Sequence, residues 1–212
     1  MKSVTVLRHP IVSDRLRTLR DVKTDTELFR RALRELSFFL AVEATSDLPS
    51  TPDPVLTPLG VEAPGETVES SKVLLVPILR AGLGFVECFL EFLPKAKVAH
   101  VGISRDHETL EAKAYMSTLP ENPDNFNRIY ILDPMLATGN SSIKTMEILV
   151  KAGFKAEKIV LVCGFAVAEG IGKINEKYPA ARIITAVVDW KLNDVGYIVP
   201  GLGDAGDRLF LL

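Results

Sequence analysis

The sequence predicts an α/β fold, a parallel β-sheet flanked by helices, and three observations carry that prediction. Residues 73–79 (Val-Leu-Leu-Val-Pro-Ile-Leu) form a near-continuous apolar run, as expected of a parallel strand covered on both faces. Residues 128–142 pass from a β-branched apolar segment through Asp133 into a turn of small residues and then into a helical pattern. Strand-like and helix-like stretches then alternate as far as Val188, which is the signature of βα units.

Taken in order, Val4 to Leu7 alternates enough for a short strand. His9-Pro10 opens an amphipathic stretch carrying Ile11, Leu16 and Leu19, and Arg15, Arg17 and Arg20 between them are read as a solvated basic face. Leu28, Phe29, Ala32, Leu33, Leu36, Phe39 and Leu40 recur at helical spacing up to about Ala44, after Thr24 and Thr26 as N-caps. Over residues 49–71 five prolines and two glycines punctuate short apolar pieces. That density excludes a central strand or long helix and predicts an extended, edge-like hairpin or arm.

The 73–79 strand leads into Arg80-Ala81-Gly82-Leu83-Gly84 and a helix from Phe85 to Leu93. A third strand is expected at 97–103, with Arg105 just beyond it, and residues 109–119 are read as a mobile flap or hairpin. After the strand at 128–132 and its loop comes a helix bearing Ile143, Met146, Leu149 and Val150, closed by Gly153. Strands at 158–162 and 182–188 and a helix from Ala168 to Tyr178 complete the alternation. The segment 196–207 holds Gly196, Gly201, Gly203 and Gly206 with Asp204 and Asp207, and reads as too irregular for a helix or strand.

The expected organisation is a single domain over 1–212: N-terminal helices at 1–48, the arm at 49–71, an α/β core at 72–190 and a C-terminal segment at 191–212. With 47% apolar residues one core is well supplied, and a net charge of −2 gives no general case for nucleic acid or an anionic membrane. The longest apolar run, 159–168, falls short of the roughly 18 residues that a bilayer span needs, so a soluble, cytoplasmic protein is expected. Cys88 and Cys163 lie far apart in apolar surroundings, which suits reduced core thiols, and His9, His100 and His107 have no metal-ligand spacing.

The chemistry concentrates at strand ends. A helix start presents unpaired N–H groups and the positive end of its dipole, so the small-residue loop Ala137-Thr138-Gly139-Asn140-Ser141-Ser142 can wrap a phosphate. Asp133 is placed to hold sugar hydroxyls or a metal ion. The alternative is an ordinary βα turn with Asn140 or Ser141 as its N-cap. Arg80 and Arg105 are natural anion clamps at two further strand ends, where ligands of open α/β sheets bind. In 196–207, rigid backbone N–H and C=O groups can read the edge of a planar base, with Tyr197 and Ile198 as apolar cover.

The segments DPMLATGNSS, VPILRAGLG, EATSDLP, HPIVSDRLRTLRD and GYIVPGLGDAGDRLF, in this order over nearly the whole chain, resemble the uracil phosphoribosyltransferase family of type I phosphoribosyltransferases. The resemblance implies a Rossmann-like core with a C-terminal hood loop over the base. The implied activity is transfer of 5-phosphoribosyl from phosphoribosyl diphosphate (PRPP) to N1 of uracil, giving UMP and diphosphate in pyrimidine salvage. It assigns PRPP to Arg80, Arg105, Asp133, Pro134, Met135, Leu136, Ala137, Thr138, Gly139, Asn140, Ser141 and Asp204, and uracil to Ile198, Gly203, Asp204 and Ala205. Catalysis is implied for Asp204, Arg105 and Arg80. Mg²⁺ is implied as cofactor, held mainly through PRPP rather than by protein ligands. A homo-oligomer, dimer or higher, with the arm as contact, and a GTP effector are also implied.

Asn140 departs from an expected glycine, and Ala112 and Ala114 from expected prolines in the flap. An alternative is a regulatory protein of the same fold that binds pyrimidine nucleotides, which would call for a basic face. A dinucleotide-binding domain would need a full G-x-G-x-x-G, whereas Glu87 stands three residues after Gly84.

Overall fold

The computed structural model describes residues 4–105 and 112–211. The elements run β1 (Val4–Val6), α1 (Pro10–Arg20), α2 (Thr26–Thr45), β2 (Ser50–Pro52), β3 (Val55–Leu56), β4 (Glu62–Ala63), β5 (Glu66–Val68), β6 (Val73–Leu79), α3 (Leu83–Phe92), β7 (Lys97–Val98), β8 (Val101–Arg105) and β9 (Ala112–Ser117). Then follow β10 (Arg128–Leu132), β11 (Met135–Leu136), α4 (Asn140–Lys151), β12 (Ile159–Val167), α5 (Ala168–Lys177), β13 (Arg182–Asp189), β14 (Lys191–Leu192), β15 (Ile198–Val199) and α6 (Ala205–Phe210). The main sheet has the order β1-β13-β12-β10-β6-β8-β9. Its pairs are parallel except that β9 returns antiparallel on β8.

Alternate side chains of the central strands feed two cores. Val73, Leu75, Tyr130, Leu132, Val160 and Val162 pack with α1, α2, α3 and α6 on one face. Leu74, Val76, Ile129, Ile131, Ile159 and Leu161 pack with α4 and α5 on the other. That double coverage is why the strands are apolar throughout, and all nine residues of β12 are buried. Helix α2 starts at an Asp25 cap, whose carboxylate accepts from Leu28 N at 2.8 Å; the N-cap is therefore neither Thr24 nor Thr26.

The arm is a two-tier hairpin, β2 against β5 and β3 against β4, both antiparallel. Two strand expectations need correction. Instead of one strand at 97–103, β7 pairs with Leu74 and Leu75, β8 with Ile78 and Leu79, and the gap lies opposite Val76 and Pro77. Proline offers no ladder donor there. The strand expected at 158–162 continues to Val167, because β11 and β13 pair along its extra length. The flap expectation holds as a hairpin for Ala112–Ser117, which includes Ala114 paired with Ile103.

Candidate active site

The loop after β10 is anchored from its neighbour. Asp133 N donates to Val162 O at 3.1 Å, and Pro134 O accepts from Gly164 N at 3.0 Å and Phe165 N at 2.9 Å. Gly139 closes the loop at φ +80°, a left-handed conformation that favours glycine, and is itself the N-cap of α4. The N-cap is therefore neither Asn140 nor Ser141, and Thr138 Oγ1 accepts from Asn140 N at 3.5 Å. Asn140 is the first helical residue, and its replacement of glycine requires no left-handed backbone. The result is an open helix N-terminus, suited to an anion.

Asp133 stands at the start of this loop, partly open to the cavity. Protein packed around it raises its carboxyl pKa to about 7; a hydrogen bond from Met135 N, at 3.3 Å, opposes the shift and the nearby Asp204 carboxylate adds to it.

Arg80 follows β6 directly. Its guanidinium is half-exposed and faces Asp207 at 3.8 Å, a loose pairing. The Leu79–Arg80 peptide bond is cis. Gly82 holds this loop close to the one after β10, since a Cβ there would come within 2.2 Å of Leu132 O and 2.7 Å of Ile78 N. The turn after β6 thus packs its backbone directly against the end of β10. Arg105 ends β8, and its side chain and residues 106–111 lie outside the described residues.

The C-terminal segment is more regular than its composition suggests. Ile198–Val199 pairs antiparallel with Lys191–Leu192, and Ala205–Phe210 is a helix. Asp204 starts that helix, accepting from Asp207 N at 2.9 Å. Glycines at 201 and 203 obscured an ordinary Asx cap followed by Leu209 and Phe210. Asn193 shapes the preceding turn, its side-chain oxygen accepting from Val195 N at 3.1 Å and Tyr197 N at 2.8 Å.

Arg20 is not part of a solvated face. It forms a bidentate pair with the buried Asp189, at 2.6 and 2.8 Å, and donates to Gly201 O at 2.9 Å. Arg208 donates to Leu202 O at 3.0 Å and to the carbonyls of Leu19, Asp21 and Thr24, with its guanidinium 4.3 Å from the Phe29 ring centroid. Sequence reasoning missed these partners because nothing local marks an arginine whose acceptor is about 180 residues away.

These segments meet at one cavity of about 480 Å³. Asp133, Met135, Ala137 and Ser141 form one wall; Ile198, Gly203, Asp204 and Ala205 form the other, with Ala81, Val195, Gly196, Tyr197 and Gly206 completing it. A smaller recess continues along Thr138, Gly139, Asn140, Ser141 and Ser142. Pro134 and Leu136 are buried behind the loop. Arg80 stands beside the cavity rather than in its lining, next to Ala81. The donor set is two carboxylates, Asp133 and Asp204. Among the described residues no group of three or more His, Cys, Asp or Glu could enclose a metal.

The chain is 47% identical to a uracil phosphoribosyltransferase of Agrobacterium fabrum over 99% of both chains, and 42% identical to one of Enterococcus faecalis with the same coverage. Among solved structures, the AQ2163 protein from Aquifex aeolicus matches with a TM-score of 0.89 at 39% identity, covering 99% of this chain and 98% of that one. The adenine phosphoribosyl transferase from Trypanosoma brucei, at 12% identity and a TM-score of 0.59 over 96% of this chain and 89% of that one, shares the fold. With the uracil phosphoribosyltransferase family model matching residues 6–211, the chain belongs to that family.

Proposed function

We propose that this chain transfers the 5-phosphoribosyl group of PRPP to N1 of uracil, forming UMP and diphosphate for pyrimidine salvage. One observation carries the reading: a single cavity has an uncapped helix start with its small-residue loop on one wall and the backbone of 203–205 beside Ile198 on the other. A phosphorylated sugar and a planar base are what these two walls suit.

Asp133 accepts from the ribose hydroxyls. The N–H groups and hydroxyls of residues 137–141 hold the 5′-phosphate, and Arg80 and Arg105 take the diphosphate. Backbone groups of Gly203 and Ala205 read the edge of uracil under Ile198, with Asp204 between base and sugar. In the reaction the bond from ribose C1 to the diphosphate oxygen breaks, positive charge develops on the ring, and the bond from C1 to N1 forms. The N1 proton leaves through solvent with the diphosphate. The arginines stabilise the departing charge and the two walls fix the approach of N1.

Two carboxylates at one cavity, Asp133 and Asp204, fit a Mg²⁺ ion bound mainly through phosphate oxygens. When bound, that ion would neutralise part of the leaving group's charge.

The test is an assay of the purified protein with PRPP, Mg²⁺ and, separately, uracil, cytosine, orotate, guanine and hypoxanthine. UMP from uracil is the expected product; its absence, or faster turnover of another base, overturns the reading. Adding GTP to the same assay tests the effector, which a changed kcat/KM would support. Val55, Leu56, Leu59 and Val61 are exposed on the arm, which supports a homo-oligomer that sedimentation would detect. Two free, buried cysteines suit a reducing compartment and so support a cytoplasmic location. No helix among the described residues is long and apolar enough to cross a membrane.

A further inference from the structure

We infer that Arg20 and Asp189 are positioning residues that set the shape of the 198–205 loop and thereby the fit of the pyrimidine acceptor, an inference that rests on the function proposed above. The pair joins the last residue of α1 to the last residue of β13. Arg20 gives Asp189 two hydrogen bonds, of 2.6 and 2.8 Å, and the same guanidinium donates to Gly201 O at 2.9 Å. Asp189 answers on the other side of that residue, its Oδ2 accepting from Gly201 N at 3.0 Å. Both hydrogen-bonding groups of one loop residue are therefore held by one ion pair. The pair is itself fixed, with Asp189 at 6% exposure and the Arg20 guanidinium 4.9 Å from the Phe165 ring centroid.

With the Asp189 carboxylate buried and the Arg20 side chain 24% exposed, this partly desolvated ion pair is a poor way merely to fasten a helix to a strand. Two apolar side chains would do so without the desolvation cost. What they could not do is bind the amide and the carbonyl of Gly201 together. Gly201 sits at φ +55°, and a Cβ on it would lie 2.1 Å from Ile198 O, so its position and that of Ile198 are coupled. The next carbonyl, that of Leu202, is held by Arg208 from α6. Two guanidiniums from opposite ends of the chain thus pin consecutive peptides. Immediately beyond them, Gly203, Asp204 and Ala205 line the cavity.

The experiment compares Asp189→Asn and Arg20→Lys with the wild type and with Arg31→Ala, a control on the exposed face of α2. Kinetics are measured with uracil and PRPP varied separately, alongside hydrogen exchange of the 198–205 backbone. Displacing a binding group by a fraction of an ångström predicts a KM for uracil raised about 10-fold or more, with the KM for PRPP within about 2-fold of wild type. Exchange across 198–205 should quicken in both variants. Lys at position 20 should not rescue, because an ammonium cannot span a carboxylate and a carbonyl with one planar fork.

The inference is overturned if both KM values move together in step with a lower melting temperature, or if the KM for uracil does not move. Should both variants fail to fold, the wild-type Gly201 amide decides: exchange as slow as that of β13 supports the clamp, and exchange as fast as an open loop overturns it. A wild-type protein inactive on uracil refutes the proposed function instead, and the exchange measurement still reports on the clamp. Wild-type activity with unaffected variants refutes the clamp alone.

Discussion

The two walls of the cavity are built in different ways. The loop after β10 comes from one βα unit, anchored by hydrogen bonds to adjacent β12 and closed by Gly139. The 198–205 loop runs from β15 to the Asp204 cap of α6. It is held by Arg20 from 181 positions away, by Asp189, and by Arg208, which reaches back 189 positions to Leu19. An anion needs only N–H groups and a helix dipole, which a single turn supplies. Reading the edge of a base needs a backbone of one definite shape, and here that shape is imposed from a distance.

Substituting the glycine in each loop tests this contrast most severely. Gly201→Ala places a methyl 2.1 Å from Ile198 O at positive φ, and is expected to lower stability by about 3 kcal/mol in urea unfolding and to abolish turnover of uracil. Gly139→Ala meets the backbone of Gly170 less closely, at 3.2 Å from its O and 3.4 Å from its Cα, so it should cost about 1–2 kcal/mol and raise the KM for PRPP while leaving that for uracil near wild type. Equal effects of the two alanines on both substrates would erase the distinction between the walls.

Asp204→Ala removes an N-cap, which should cost about 1 kcal/mol, while kcat/KM for uracil falls by about 100-fold. An unchanged kcat/KM would reduce Asp204 to a cap. The smallest effect is expected at Asp133. Its carboxyl titrates near 7 in the fold, against an ordinary value of 3.8, so its contribution is fully present in acid and lost as pH rises through 7. Asp133→Asn should therefore melt roughly 2–4 °C above wild type near pH 8 and level with it near pH 4, while losing activity. A variant less stable than wild type at both pH values would count against the burial of that charge.

The same contrast explains what the sequence could reveal. Residues 73–79 and 128–142 declare strand, turn and helix through their own composition, and Gly139 marked the turn correctly. The interruption between β7 and β8 was hidden because its cause, Pro77, sits on the neighbouring strand. Arg20 resembled any basic residue on an amphipathic helix, since its partners are set by tertiary packing. In 196–207 the glycines outweighed the Asp204 cap, and so α6 was overlooked. Of the residues expected to hold PRPP and uracil, Asp133, Met135, Ala137, Ser141, Ile198, Gly203, Asp204 and Ala205 line one cavity and Thr138, Gly139 and Asn140 the recess beside it, while Pro134 and Leu136 lie behind the loop, Arg80 stands at the edge and the Arg105 side chain lies outside the described residues.

The reach of Arg208 also orders the protein's biosynthesis. The β6-β10-β12 centre and the loop after β10 can form while the chain is still emerging from the ribosome, because every strand they need precedes residue 168. The 198–205 wall cannot, since its struts join residues 19–24 to residue 208. The two walls of the cavity can thus form at different times, and contacts of such long sequence separation are the slow ones to form.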